Sequence, residues 1–127
     1  MATVELTAKT FESIITGNDI ILVDFWAPWC GPCRQFAPVF ENMSEQHPDI
    51  LFSKVNTEEE QELAAHFQIR SIPTLMVFRE QIIVFSQPGA LPPASLASVI
   101  EQVAELDMDD VREQVAEQAA SQEGATS

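Results

Sequence analysis

The sequence predicts an α/β domain, on three observations. Strand-like and helix-like segments alternate almost from the start of the chain. One of them, Ile20 to Ala27, is apolar on both alternating faces except for Asp24, as expected of a central strand covered on both sides. The 127 residues, 46% of them hydrophobic, suffice for a single core.

In order along the chain, Val4 to Leu6 makes a short first strand. Thr7 or Thr10 caps a helix that carries Phe11, Ile14 and Ile15 and stops at Gly17-Asn18. The apolar strand Ile20 to Ala27 leads into a helix from about Pro32 to Gln46, with Phe36, Val39, Phe40 and Met43 on its inward face. Pro38 has no N–H to offer the carbonyl of Arg34 and should kink that helix. Ile50 to Asn56 is the third strand. Thr57-Glu58-Glu59-Glu60 reads as a capping box, opening a helix that buries Leu63, Ala64 and Phe67. Thr74 to Phe78 and Ile82 to Phe85 are joined tightly enough to pair antiparallel. Pro92-Pro93 opens a last helix with Leu96, Val99, Ile100 and Val103 at helical spacing. The order is β-α-β-α-β-α-β-β-α.

Composition shifts after Leu106, so residues 1–106 are read as the domain and 107–127 as an acidic C-terminal extension, partly helical or disordered. The extension holds six acids, one base (Arg112) and no aromatic residue. Asp107 is a candidate cap, and Val111 and Val115 share one helical face. Two valines offer a few kcal/mol at most, against about 1–2 kcal/mol of backbone entropy per ordered residue. A frayed, mobile segment is therefore expected, disordered from Glu123 and dispensable for catalysis.

Twenty acids against six bases give a net charge of −14. Such a surface repels nucleic acid and anionic membranes, so neither is an expected partner. Met1 to Leu6 has neither the basic nor the apolar region of a secretory leader, and no apolar run approaches the roughly 20 residues of a membrane span. The expected compartment is the reducing cytoplasm, where a CxxC pair is more often catalytic or metal-binding than structural.

The only two cysteines stand in Trp29-Cys30-Gly31-Pro32-Cys33, at the junction of the apolar strand and the helix that follows. Backbone N–H groups and the helix dipole favour negative charge there, which turns a thiol into a thiolate nucleophile. Cys30, just outside the helix, should attack a substrate disulfide, and the more covered Cys33 should resolve the mixed disulfide. The alternative is half a zinc site or an inert thiol pair; a tetrahedral zinc site needs two more ligands, and neither His47 nor His66 lies in a ligand-spaced motif. Gly31-Pro32 adds no cation to stabilise the thiolate, which points to a reductant. Asp24 reads either as a buried acid of raised pKa that takes the proton from Cys33, or as a strand-end acid with its head in solvent.

Val23-Asp24-Phe25-Trp26-Ala27-Pro28-Trp29-Cys30-Gly31-Pro32-Cys33-Arg34, with Pro38 downstream, resembles the active-site segment of the thioredoxin family. Ile69-Arg70-Ser71-Ile72-Pro73-Thr74-Leu75 and Pro88-Gly89-Ala90-Leu91 match two further family segments in order and spacing. The similarity covers roughly residues 3 to 106. It implies a thioredoxin fold, a five-stranded mixed sheet with two helices on each face. It implies that Cys30 and Cys33 form a redox-active disulfide, that Asp24 is the family's buried acid, and that Lys54 modulates it, although Lys54 alone also reads as a solvated strand lysine. Ile72-Pro73 becomes a cis-proline site facing the dithiol, with Trp29, Gly31, Pro32, Ile72, Pro73, Gly89 and Ala90 forming the substrate-binding surface. The implied activity is reduction of disulfide-containing substrate proteins by a monomer without cofactor or metal, recycled by an NADPH-dependent flavoprotein thioredoxin reductase. A rival of another class is a binding or co-chaperone module that uses the same apolar patch and the tail. Ser71 in place of a usual glycine, Arg79-Glu80-Gln81 in place of a glycine-containing turn, and the tail depart from the family pattern.

Overall fold

The computed structural model describes residues 2–126. β1 (Thr3–Glu5), β2 (Ile20–Trp26), β3 (Leu51–Asn56), β4 (Thr74–Arg79) and β5 (Ile82–Pro88) form one mixed sheet in the order β1-β3-β2-β4-β5. β1, β3 and β2 run parallel, whereas β4 is antiparallel to both β2 and β5. β2 lies at the centre, and its residues 21–25 are all buried, Asp24 included.

One face of the sheet packs Leu22, Phe52, Leu75 and Val77 against Phe36, Phe40 and Met43 of α2 (Gly31–Gln46) and Leu96, Ile100 and Val103 of α4 (Pro93–Glu105). The other packs Ile21, Val23, Phe25, Val55, Met76 and Phe78 against Ile15 of α1 (Phe11–Gly17) and Leu63 of α3 (Gln61–His66). The alternation of side chains along β2 separates these two cores. Two helices per face is the expected arrangement, and it places residues 20, 22, 24 and 26 on the α2 side.

Local readings need correction at three places. Thr10 precedes α1, but its hydroxyl accepts from the Thr7 N–H at 3.1 Å rather than from a helix N–H. The capping box does not form: the Thr57 hydroxyl donates to Trp26 O (3.0 Å), and the Glu60 carboxylate accepts from the Ala8 N–H (2.8 Å). Asn56 takes over the turn, its carbonyl accepting from Glu59 N and Glu60 N and its side chain from Glu58 N. Residues 57–59 are taken up by that turn, so α3 starts only at Gln61. Within α3 only Leu63 is fully buried; Ala64 is half-buried, as is Phe67, the residue after the helix.

The third correction is the tail. Leu106 is extended, so the tail's helix, α5 (Met108–Thr126), is separate from α4 in place of a continuation of it. The backbone stays helical past Glu123 to Thr126, and Ser127 lies outside the described residues. Asp107 Oδ1 caps α5, accepting from Asp109 N (3.1 Å) and Asp110 N (3.3 Å). Met108 is buried at 5% exposure, an anchor that counting the valines alone leaves out. Arg79 of β4 holds the end of α4 by donating to Val103 O (2.6 Å) and Leu106 O (3.0 Å). Arg112 of α5 pairs with Glu80 in the β4–β5 turn and with Asp109. That turn has positive φ at Glu80 (50°) and Gln81 (71°), so it adopts a glycine-favouring conformation without glycine.

Candidate active site

The dithiol site is built where β2 ends. The chain leaves Trp26, turns with Cys30 N donating to Ala27 O (3.2 Å), and enters α2 at Gly31. Pro32 occupies the first turn, where its missing N–H costs no hydrogen bond. Cys30 is the N-cap residue, and its Sγ accepts from the Cys33 N–H at 3.2 Å. A negative sulfur at this position gains from that donor and from the helix dipole. Cys30 and Cys33 are joined as a disulfide, their Cα atoms 5.2 Å apart. They are 4% and 2% exposed, so the expected contrast between an open Cys30 and a covered Cys33 is slight in this oxidised form.

A second chain segment closes over the sulfurs. Ile72–Pro73 is a cis peptide, and Ile72 O lies 3.7 Å from Cys30 Sγ. Pro73 O accepts from Gly89 N at 2.8 Å, which ties the Ile72–Pro73 segment to the Gly89–Ala90 loop. Gly89 has φ +104°, where a side chain would be strained. Trp29 is 65% exposed, and Pro32, Gly89 and Ala90 are exposed around it with Gly31 and Ile72 half-buried. Pro73 itself is buried, and Ser71 is exposed beside it. A recess of about 400 Å³, lined by Thr16 to Asp19, Glu80 and Gln81, lies at the other end of β2 from the cysteines.

Asp24 is fully buried, and neither of its carboxylate oxygens has a hydrogen-bond partner. Burial pushes its pKa from 3.8 up to about 7, and the charge of Lys54 opposes that rise. Lys54 is the register partner of Asp24 on β3, half-buried, with Nζ 4.7 Å from the centre of the Trp26 ring. Trp26 in turn packs against Ala27, Cys30 and Cys33. The solvent-facing alternative for Asp24 is thereby excluded.

One neighbour escaped the sequence reading. Glu58 accepts a hydrogen bond from Trp29 Nε1, and its own N–H is fixed by Asn56 Oδ1 at 3.0 Å. Its place in an apparent capping box hid it. Among the described residues, no group of three or more His, Cys, Asp or Glu side chains is arranged to hold a metal ion.

The thioredoxin family profile matches residues 2–102, which takes in the cysteine pair, the buried acid and the cis-proline segment. The chain belongs to the thioredoxin family. It is 58% identical over 119 residues to a Streptomyces coelicolor protein described as a thioredoxin 2, covering 94% of this chain and 89% of that one. Thioredoxin 1 of a Nostoc species is 43% identical over 103 residues, 80% of this chain and 96% of its own. The Streptomyces match therefore extends into the tail, whereas the Nostoc thioredoxin is nearly exhausted by the domain alone. Among solved structures, a mutant thioredoxin from Halobacterium salinarum superposes with a TM-score of 0.76 at 33% identity, covering 82% of this chain and 92% of that one. Thioredoxin from Malassezia sympodialis superposes with a TM-score of 0.72 at 30% identity, covering 80% and 93%.

The protein has the thioredoxin fold, and its Cys30–Cys33 pair makes it a thiol–disulfide oxidoreductase. Disulfide-bearing substrates and a reductase partner follow in general terms from the family. Among the described residues, no helix is long and apolar enough to cross a membrane.

Proposed function

We propose that this thioredoxin-family chain reduces disulfides of partner proteins in the cytoplasm, working as a monomer and recycled by an NADPH-dependent thioredoxin reductase. The observation that carries the reading is the Cys33 N–H donated to Cys30 Sγ at the N-terminus of α2, which favours Cys30 as the thiolate. In the reduced protein, Cys30 Sγ attacks a substrate disulfide. One S–S bond breaks as the mixed disulfide forms, and the departing substrate sulfur leaves with the electron pair. Cys33 then loses its proton to Asp24, directly or through water, and attacks Cys30 Sγ. The second substrate thiolate is released, and Cys30–Cys33 closes. Two electrons have passed from the dithiol to the substrate, and the reductase returns them.

Trp29, Gly31, Pro32, Ile72, Pro73, Gly89 and Ala90 form the docking surface, with the backbone of Ile72 pairing an extended substrate segment. Lys54 modulates Asp24. Gly31-Pro32 brings no cation to the thiolate, in keeping with a reductant.

Insulin reduction coupled to NADPH consumption by a thioredoxin reductase tests the reading. Cys30→Ser should abolish turnover, and Cys33→Ser should accumulate stable mixed disulfides with substrate. Multiple-turnover reduction by Cys33→Ser without added thiol would overturn the resolving role.

A further inference from the structure

Lys54 has three carboxylates within its neighbourhood and sits on none of them. Glu5 on β1 and Asp24 on β2 are its register partners on either side. Its charge also reaches Glu41 on α2, whose carboxylate is held instead by Ala2 N (3.0 Å) and the Thr3 hydroxyl (2.8 Å). Lys54 makes no ion pair within 4 Å among the described residues. Its ammonium lies over the Trp26 ring, 4.7 Å from the centroid. That is within the ~6 Å over which a ring face attracts a cation.

Trp26 is two residues after Asp24 on β2, so both side chains project to the α2 face of the sheet. From β4 the residue opposite Asp24 is Leu75, which is apolar. From α2 comes Glu41, and at its N-terminus lies the cluster of Ala27, Cys30 and Cys33, against which Trp26 packs. The indole therefore touches the dithiol cluster and also lies under the cation whose charge reaches the buried acid.

We propose that Trp26 is a positioning residue: the face of its indole fixes the Lys54 ammonium opposite Asp24 and thereby governs how readily that carboxyl ionises. The inference rests on the reading of Asp24 as the proton acceptor for Cys33. It adds the reason why the ammonium stays opposite that acid and forms no ion pair with Glu5 or Glu41 among the described residues. Without the ring, the ammonium is free to move toward Glu5 or Glu41, and the buried carboxyl loses its counter-charge.

The test uses the full chain in its reduced form. In NMR spectra, ring current should shift the ε-methylene protons of Lys54 upfield, and Trp26→Leu should return them to the ordinary lysine position. The Asp24 midpoint, read from its side-chain carboxyl carbon, should rise by about half a pH unit or more in Trp26→Leu and in Lys54→Met. The double variant should rise no further than Lys54→Met alone. Trp26→Phe, which keeps an aromatic face and the packing, should retain most of the original midpoint. Ordinary Lys54 shifts in the unsubstituted protein, additive midpoint changes in the double variant, or a Phe variant that moves as far as Leu would each overturn the proposal. The midpoint is read on the carboxyl itself. If it moves as stated and the resolution rate does not follow, the positioning role stands and the proton-acceptor reading of Asp24 fails.

Discussion

Asp24 carries a conflict between stability and chemistry. In the unfolded chain it ionises near pH 3.8, and in the folded protein near pH 7, because burial without a hydrogen-bond donor penalises the charge. Between those two values the folded state binds more protons than the unfolded one, so stability falls as pH rises and levels off above pH 7. The cost is about 1.4 kcal/mol for each pH unit between the midpoints. Asp24→Asn removes it. Urea denaturation should therefore show the variant more stable by a few kcal/mol at pH 8 and little changed below pH 4. In stopped-flow measurements at neutral pH the same variant should slow resolution by Cys33 more than the initial attack by Cys30, because it removes only the proton acceptor. Equal slowing of both steps would count against that role.

At the scale of elements, α5 shows where composition alone misjudges a segment. Its two valines are partly covered, with Val115 still 44% exposed and a recess of about 260 Å³ between them and Ile82 to Val84 of β5. The anchor is Met108, fully covered, together with the Asp107 cap and the Arg79 bonds to the end of α4. Met108→Ala should cost about 2–5 kcal/mol, enough to lower Tm by several degrees in thermal unfolding. Deleting residues 107–127 should do the same and leave insulin reduction within about twofold, since the cysteine pair and the Ile72–Pro73 segment lie in the domain before the tail. Arg112→Ala, which breaks only the surface pairs to Glu80 and Asp109, should leave Tm nearly unchanged. An unaltered Tm on deletion would mean that Met108 does not seat the helix in solution.

For the whole molecule, a charge of −14 on 127 residues sets a field that any partner meets before contact. On the docking surface proposed above, a partner reaching Trp29 meets Glu58, which accepts from its indole N–H, with Glu59, Glu60 and Glu62 close behind in the sequence. Raising ionic strength from about 20 mM to 500 mM, which shortens the screening length severalfold, should slow reduction of a cationic disulfide protein and speed reduction of an anionic one. Equal salt dependence for both substrates would show that the apolar contact alone decides encounter.

What the sequence determined by itself are the features encoded in neighbouring residues. The fully apolar run of β2, the helical spacing of Phe36, Phe40 and Met43, and the cysteine pair between them specify a strand, a helix and a thiol site at their junction. Strand limits shifted by a residue or so, and β5 runs three residues further, to Pro88. Tertiary structure decided whatever depends on which partner reaches a group first. Glu60 satisfies Ala8, 52 residues away, in place of its own helix, and Glu58 holds Trp29 across 29 residues. Lys54 meets a ring rather than a carboxylate. Met108 finds a buried seat that its polar surroundings in the sequence do not announce. Hydrogen bonds and burial are competitions among all groups brought close in space, whereas a sequence displays only the competitors close along the chain.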